Sequence, residues 1–135
     1  GLVFGLLTEV PGSSAVMDRG FVTYSYAAKT GMLGVDAGLV ERDGAVSQAV
    51  ALAMVAGALA QTKADLAVAI TGIAGPTGGS PEKPVGLVHF AAQRRGRTAI
   101  HRERRFGERS RSAIRLASVR EAVSLLAEAA TAPPQ

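Results

Sequence analysis

Three observations predict an α/β domain. Leu66-Ala-Val-Ala-Ile70 is short, continuous and apolar, as a strand covered on both faces is. From Ser47 to about Lys63, apolar residues recur at helical spacing: Val50, Met54 and Ala58, with Ala51 and Val55 beside them. A long loop rich in Gly and Pro, Thr71 to Gly86, joins that strand to a second apolar run, Val85 to Ala92.

Composition agrees. Of 135 residues 47% are apolar and only 4% aromatic, so Ala, Val and Leu must do the packing. The chain is long enough for one cored domain. It has no cysteine, hence no disulfide framework and no thiolate metal site, and a reducing compartment is permitted. No stretch reads as a membrane span or as a secretory signal, so the expected location is the cytoplasm. The net charge of +4 conceals an asymmetry: ten arginines lie between Arg94 and Arg120, opposed only by Glu103 and Glu108. Without interleaved aromatics or a nucleic-acid motif, this block reads as a solvated face rather than a polyanion site.

Taken in order, Gly1-Leu-Val-Phe-Gly-Leu-Leu-Thr8 reads as the body of a helix without an N-cap, which is expected to begin upstream of residue 1. Pro11 and Gly12 end it, and Ser13 or Ser14 is expected to cap a short helix running towards Asp18. Gly20-Phe-Val-Thr-Tyr-Ser25, β-branched and aromatic, predicts a strand. Ala27 to Leu33 is a short helix stopped by Gly34, and Ser47 opens the long one. After the loop come a strand over Val85–Gln93, a turn at Arg94–Arg97 and a partner strand over Thr98–Phe106. That partner alternates Ile100, Arg102, Arg104 with His101, Glu103, Arg105; charge on both faces marks an edge strand. A final helix runs from about Glu108 to Ala129 with Leu116, Val119, Val123 and Leu126 as its inner stripe, and Arg111 and Arg115 elsewhere on the wheel.

The loop's glycines let backbone N–H groups approach a ligand closely, and its position after a buried strand is where open α/β sheets bind ligands; an ordered connector is the plainer alternative. Tyr24 and Lys29 are the notable ionisable pair, at a strand end and in the first turn of the next helix. A desolvated Lys has a lowered pKa and serves as a general base, and a neighbouring Tyr hydroxyl can relay a proton. Spacing alone favours the plainer reading, a solvated Lys29 on its helix and a half-buried Tyr24 on its strand. Ser13, Ser14 and Ser25 are hydroxyls at turns and caps. His89 and His101 fall on neighbouring strands, but no acidic cluster accompanies them at ligand spacing, which argues against a metal site. Arg19 and Lys83 could each bring positive charge to the loop for a phosphate.

Pro11-Gly-Ser-Ser-Ala15, Arg19-Gly-Phe-Val-Thr-Tyr-Ser25, Ala28-Lys29, Gly44-Ala-Val-Ser47, Thr71-Gly-Ile-Ala-Gly-Pro76 and Glu82-Lys-Pro-Val-Gly86 follow one another as in the CinA C-terminal family. The chain resembles that family from Gly1 to about Glu128. The family includes the nicotinamide-nucleotide amidases. The resemblance implies a three-layer α/β/α sandwich with a mixed sheet, one domain over residues 1–130 and a tail over 131–135. It implies hydrolysis of the carboxamide of nicotinamide mononucleotide (NMN), with no cofactor and no metal. Tyr24 and Lys29 take the catalytic positions. Ser14, Arg19, Ser25, Thr71, Gly72, Ile73, Ala74, Gly75 and Lys83 are the expected substrate contacts. The family's nucleophilic serine lies in a Glu-Ser-Cys-Thr-Gly-Gly motif whose last glycine matches Gly1, so it is expected upstream of Gly1. Tyr26 stands where many members carry Asn. Family members often self-associate, and neither a membrane nor a nucleic-acid partner is implied. The alternative, from another class, is a non-catalytic module that binds a nucleotide or a protein partner.

Overall fold

A computed structural model describes residues 1–133. Five helices, α1 (Leu2–Leu7), α2 (Tyr26–Leu33), α3 (Ala37–Asp43), α4 (Gln48–Ala60) and α5 (Arg111–Thr131), accompany three strands, β1 (Leu66–Gly72), β2 (Leu87–Arg94) and β3 (Ile100–Arg105). The strands form one sheet in the order β1-β2-β3. Side-chain parity divides its two faces. Ala67, Ala69 and Ala91 point to a cluster with Val50, Ala51, Met54 and Val55 of α4. Val68, Ile70, Val88, Phe90 and Ala92 point to Ile114, Ala122 and Leu125 of α5. The sheet is therefore the middle of three layers, as expected, and β1 is apolar because helices cover both its faces.

Helix boundaries follow side-chain caps. Ser25, Asp36, Ser47 and Ser110 accept from the backbone N–H of Ala28, Leu39, Val50 and Ala113. Gly34 closes α2 in a left-handed conformation, φ 68°. The carbonyls at the end of α4 are met by Arg95, whose guanidinium donates to Leu59, Thr62 and Ala64 at 2.7–3.1 Å. Gly57 of α4 lets α2 approach: a Cβ there would lie 1.9 Å from the Leu33 carbonyl oxygen.

Several expectations need correction. Both strand pairings are antiparallel, so among the described residues the sheet is not mixed. Residues 20–24 form no strand. Strand propensity expresses fit to a neighbouring strand, and none lies beside this segment. Gly12, not Ser13 or Ser14, occupies the N-cap of the 3-10 turn Ser13–Ala15, and no side chain caps it. The short helix α3 was not foreseen; Asp36 caps it and Gly44 ends it. The inner face of α5 is Ile114, Ser118, Ala122, Leu125 and Ala129, with Val119 at its margin, while Leu116 is 58% exposed. A hydrophobicity stripe misses this phase because Ala and Ser line much of the buried face; Ser118 is satisfied by donating to the Ile114 carbonyl at 2.7 Å. Helix α5 extends through Thr131, into the stretch expected as tail; Pro134 and Gln135 lie outside the described residues.

β3 is an edge strand, as its charges predict. Much of the arginine block is used internally. Arg102 bridges Glu121 at 2.6 Å and also Glu128, and Arg104 reaches Glu121 at 3.1 Å, fastening β3 to α5. Arg105 pairs with Glu103 at 2.9 Å. A polyanion surface would need these guanidinium groups turned outward.

Candidate active site

A cleft of about 410 Å³ opens between the first turn of α2, the turn 44–46, the loop 72–79 and the start of α5. Three side-chain donors shape its walls by holding carbonyls. Thr71 Oγ1 donates to Ala45 at 2.7 Å, Lys83 Nζ donates to Asp43, and Arg111 Nη1 donates to Gly75 at 2.8 Å. The hairpin closes beneath them: Ile73 N–H donates to Leu87 and Gly86 N–H to Ile73. Gly75 has φ 70°, and a Cβ there would come within 2.5 Å of the Val85 side chain, so the two limbs of the loop meet closely only with glycine at that position.

The cleft is electropositive. Lys83 and Arg111 line it without a carboxylate partner among the described residues, and no Asp or Glu lines it. The backbone N–H groups of Ala74, Thr77, Gly78 and Gly79 make no hydrogen bond among the described residues. Cations and free amides around one cavity suit a phosphate or carboxylate. Among the described residues, no group of three or more His, Cys, Asp or Glu could hold a metal ion.

Lys29 lies in the first turn of α2 and is only 7% exposed. Its Nζ donates to the Thr23 carbonyl at 2.7 Å. Burial pushes its ammonium below the usual lysine range. Tyr24 is 84% exposed, and its hydroxyl accepts from Arg111 Nη2 at 3.4 Å. The two expected partners are thus neighbours along the chain, yet Lys29 bonds the backbone before Tyr24 and Tyr24 turns to α5.

Of the expected contacts, Gly72, Ile73, Ala74, Gly75 and Lys83 line the cleft. Thr71 stands behind its wall. Ser25 spends its hydroxyl on the α2 cap, at 3.0 Å from Ala28 N. Ser14 is exposed in the 3-10 turn and does not line the cleft. Arg19 does not reach the loop: it pairs with Asp18 at 3.2 Å and faces a separate hollow formed with residues 60–64. Its place in sequence suggested proximity, but the unpaired stretch carries it to the other end of α4.

Sequence reasoning did not single out the turn 44–46 or Arg111 as parts of the site. Arg111 did leave a signal. A cation in the first turn of a helix opposes the helix dipole, so it contributes little to the helix and is free for another task.

The CinA C-terminal domain model matches residues 1–130, and the chain belongs to this family. A CinA-like protein of Mycolicibacterium vanbaalenii is 54% identical over 131 residues, covering 97% of this chain and 31% of that protein. The chain thus spans about a third of the length of that curated relative. Among solved structures, the competence/damage inducible protein CihA from Agrobacterium tumefaciens superposes with a TM-score of 0.95 at 53% identity, covering 97% of this chain and 79% of that one. The competence damage-inducible protein A (ComA) from Klebsiella pneumoniae gives 0.90 at 33% identity, covering 98% and 82%.

Proposed function

We propose that this member of the CinA C-terminal domain family supplies the substrate cleft and general base of an amidohydrolase that converts NMN to nicotinate mononucleotide and ammonia. The observation that carries the reading is a buried lysine with a lowered pKa, one turn from a cleft walled by a glycine loop and two cations that have no carboxylate partner among the described residues. A nicotinamide ring fits against the loop backbone and Tyr26, and the phosphate against Lys83 and Arg111.

In this mechanism neutral Lys29 takes the proton of a serine hydroxyl contributed from outside the 135 residues. Tyr24, oriented by Arg111, relays that proton or fixes its path. The oxygen attacks the carboxamide carbon while backbone N–H groups of the loop stabilise the oxyanion. The leaving amide nitrogen takes the proton back from Lys29 and departs as ammonia. Water then hydrolyses the ester.

One observation favours a second reading, a binding module without turnover: among the described residues no serine side chain bonds Lys29 Nζ, which donates to the Thr23 carbonyl instead. The 135 residues alone are expected to bind the nucleotide without hydrolysing it.

The phosphate seat gives a specific test. Arg111→Gln in the full-length protein should lower kcat/KM for NMN about 10–100-fold, the usual loss for one charge-assisted contact. The same substitution should cost distinctly less with nicotinamide riboside, which lacks the phosphate and loses only what Arg111 does through Tyr24 and Gly75. Equal losses with both substrates would remove the phosphate from this end of the cleft.

A further inference from the structure

Behind the cleft, on the sheet face covered by α4, two histidines meet across β2 and β3. His89 is 7% exposed and His101 half-buried, with Nδ1 of His89 2.9 Å from Nε2 of His101. The rings lie within 25° of parallel with centroids 5.2 Å apart, about an N···N bond with a ring radius at either end. They therefore meet edge to edge. One proton must lie between two nitrogens. In the neutral pair one ring donates and the other accepts. With one proton added, an imidazolium donates to an imidazole and the bond strengthens. With two added, both facing nitrogens carry hydrogen and no bond remains.

We propose that this pair is an acid-sensitive latch on β3, closed with none or one added proton and open with two. Its opening would loosen the cleft, because the two are linked by backbone. β3 runs into Phe106, whose N–H donates to the Gly86 carbonyl at 2.9 Å. Gly86 N–H in turn donates to Ile73 in the cleft wall at 2.8 Å.

The groups facing the pair set its balance. Glu103, in register opposite His89, favours charging, but its carboxylate is held by Arg105. Lys83 from the loop and Arg105 from β3 oppose charging of His89. α4 presents no ionisable side chain, and β1 places Thr71 in register with His89. Burial pushes both imidazoles below the ordinary histidine value of 6.5. The unfolded chain therefore binds more protons just below pH 6.5, and the stability that the pair contributes at neutral pH is lost as pH falls through the folded-state values.

Nitrogen-15 imidazole spectra and amide hydrogen exchange, followed from about pH 8 to pH 5, test this. The two rings are expected to titrate together in two steps, with loss of exchange protection at residues 100–105 accompanying the second. In His101→Phe the bond is missing at every pH, so protection at residues 100–105 should already be lower at pH 8 and should change little down to pH 5. Independent single-step titration of the two rings, or a loss of protection in His101→Phe that follows pH as in the unaltered protein, would overturn the proposal. The ring titration of the unaltered protein decides the question even where the variant fails to fold.

Discussion

Replacing Lys29 with Met in the full-length protein should lower ammonia release from NMN by about 10²–10⁴-fold, the usual share of general acid–base catalysis. Met keeps the unbranched apolar stem and stops one atom short of the Nζ position, so the fold should survive. The substitution removes one donor from the Thr23 carbonyl, at a cost of about 1 kcal/mol, and relieves the chain of a desolvated amine. The pH profile separates catalysis from packing. Because burial holds the Lys29 ammonium below its ordinary value, the free amine, and with it the rate, should rise as pH increases through that lowered pKa. The residual activity of Lys29→Met should lack this limb. Near-normal turnover in the variant would take Lys29 out of the chemistry.

Gly57→Ala should destabilise the domain by about 2–3 kcal/mol or more, at the upper end of overpacking substitutions. The obstacle is backbone: the added methyl would lie 1.9 Å from the Leu33 carbonyl oxygen, so α2 and α4 must separate. That separation also disturbs Lys29, which α2 carries. Gly5→Ala is the control, since a Cβ there meets nothing within 4 Å and alanine favours a helix. A thermal melt should show a drop of about 10 °C for Gly57→Ala and no loss for Gly5→Ala. Equal midpoints would mean that the helix crossing is not tight.

The legible parts of the fold were those where one residue type has one local consequence. Ser47 and Gly34 marked helix ends, the charge pattern of Ile100–Arg105 marked an edge, and the uniform apolarity of β1 marked burial on both faces. The errors arose where tertiary context decides. Phe21 and Val22 suit a strand but have no strand beside them. The phase of α5 was lost because Ala122, Ala129 and Ser118 carry its buried face. Within the site, the glycine loop and Lys83 could be found from sequence because loop composition is a local property. The departure of Arg19 could not, and the first-turn position of Arg111 marked it as spare without saying what it would meet, since each depends on where a helix end lies in space.

Ammonia release from NMN, measured with the full-length protein beside the 135-residue chain, tests the central claim most directly. Release by the full-length protein, with NMN binding but no release by the shorter chain, is the predicted result. Absence of release by both, with both folded, would contradict the amidase reading and leave a binding module.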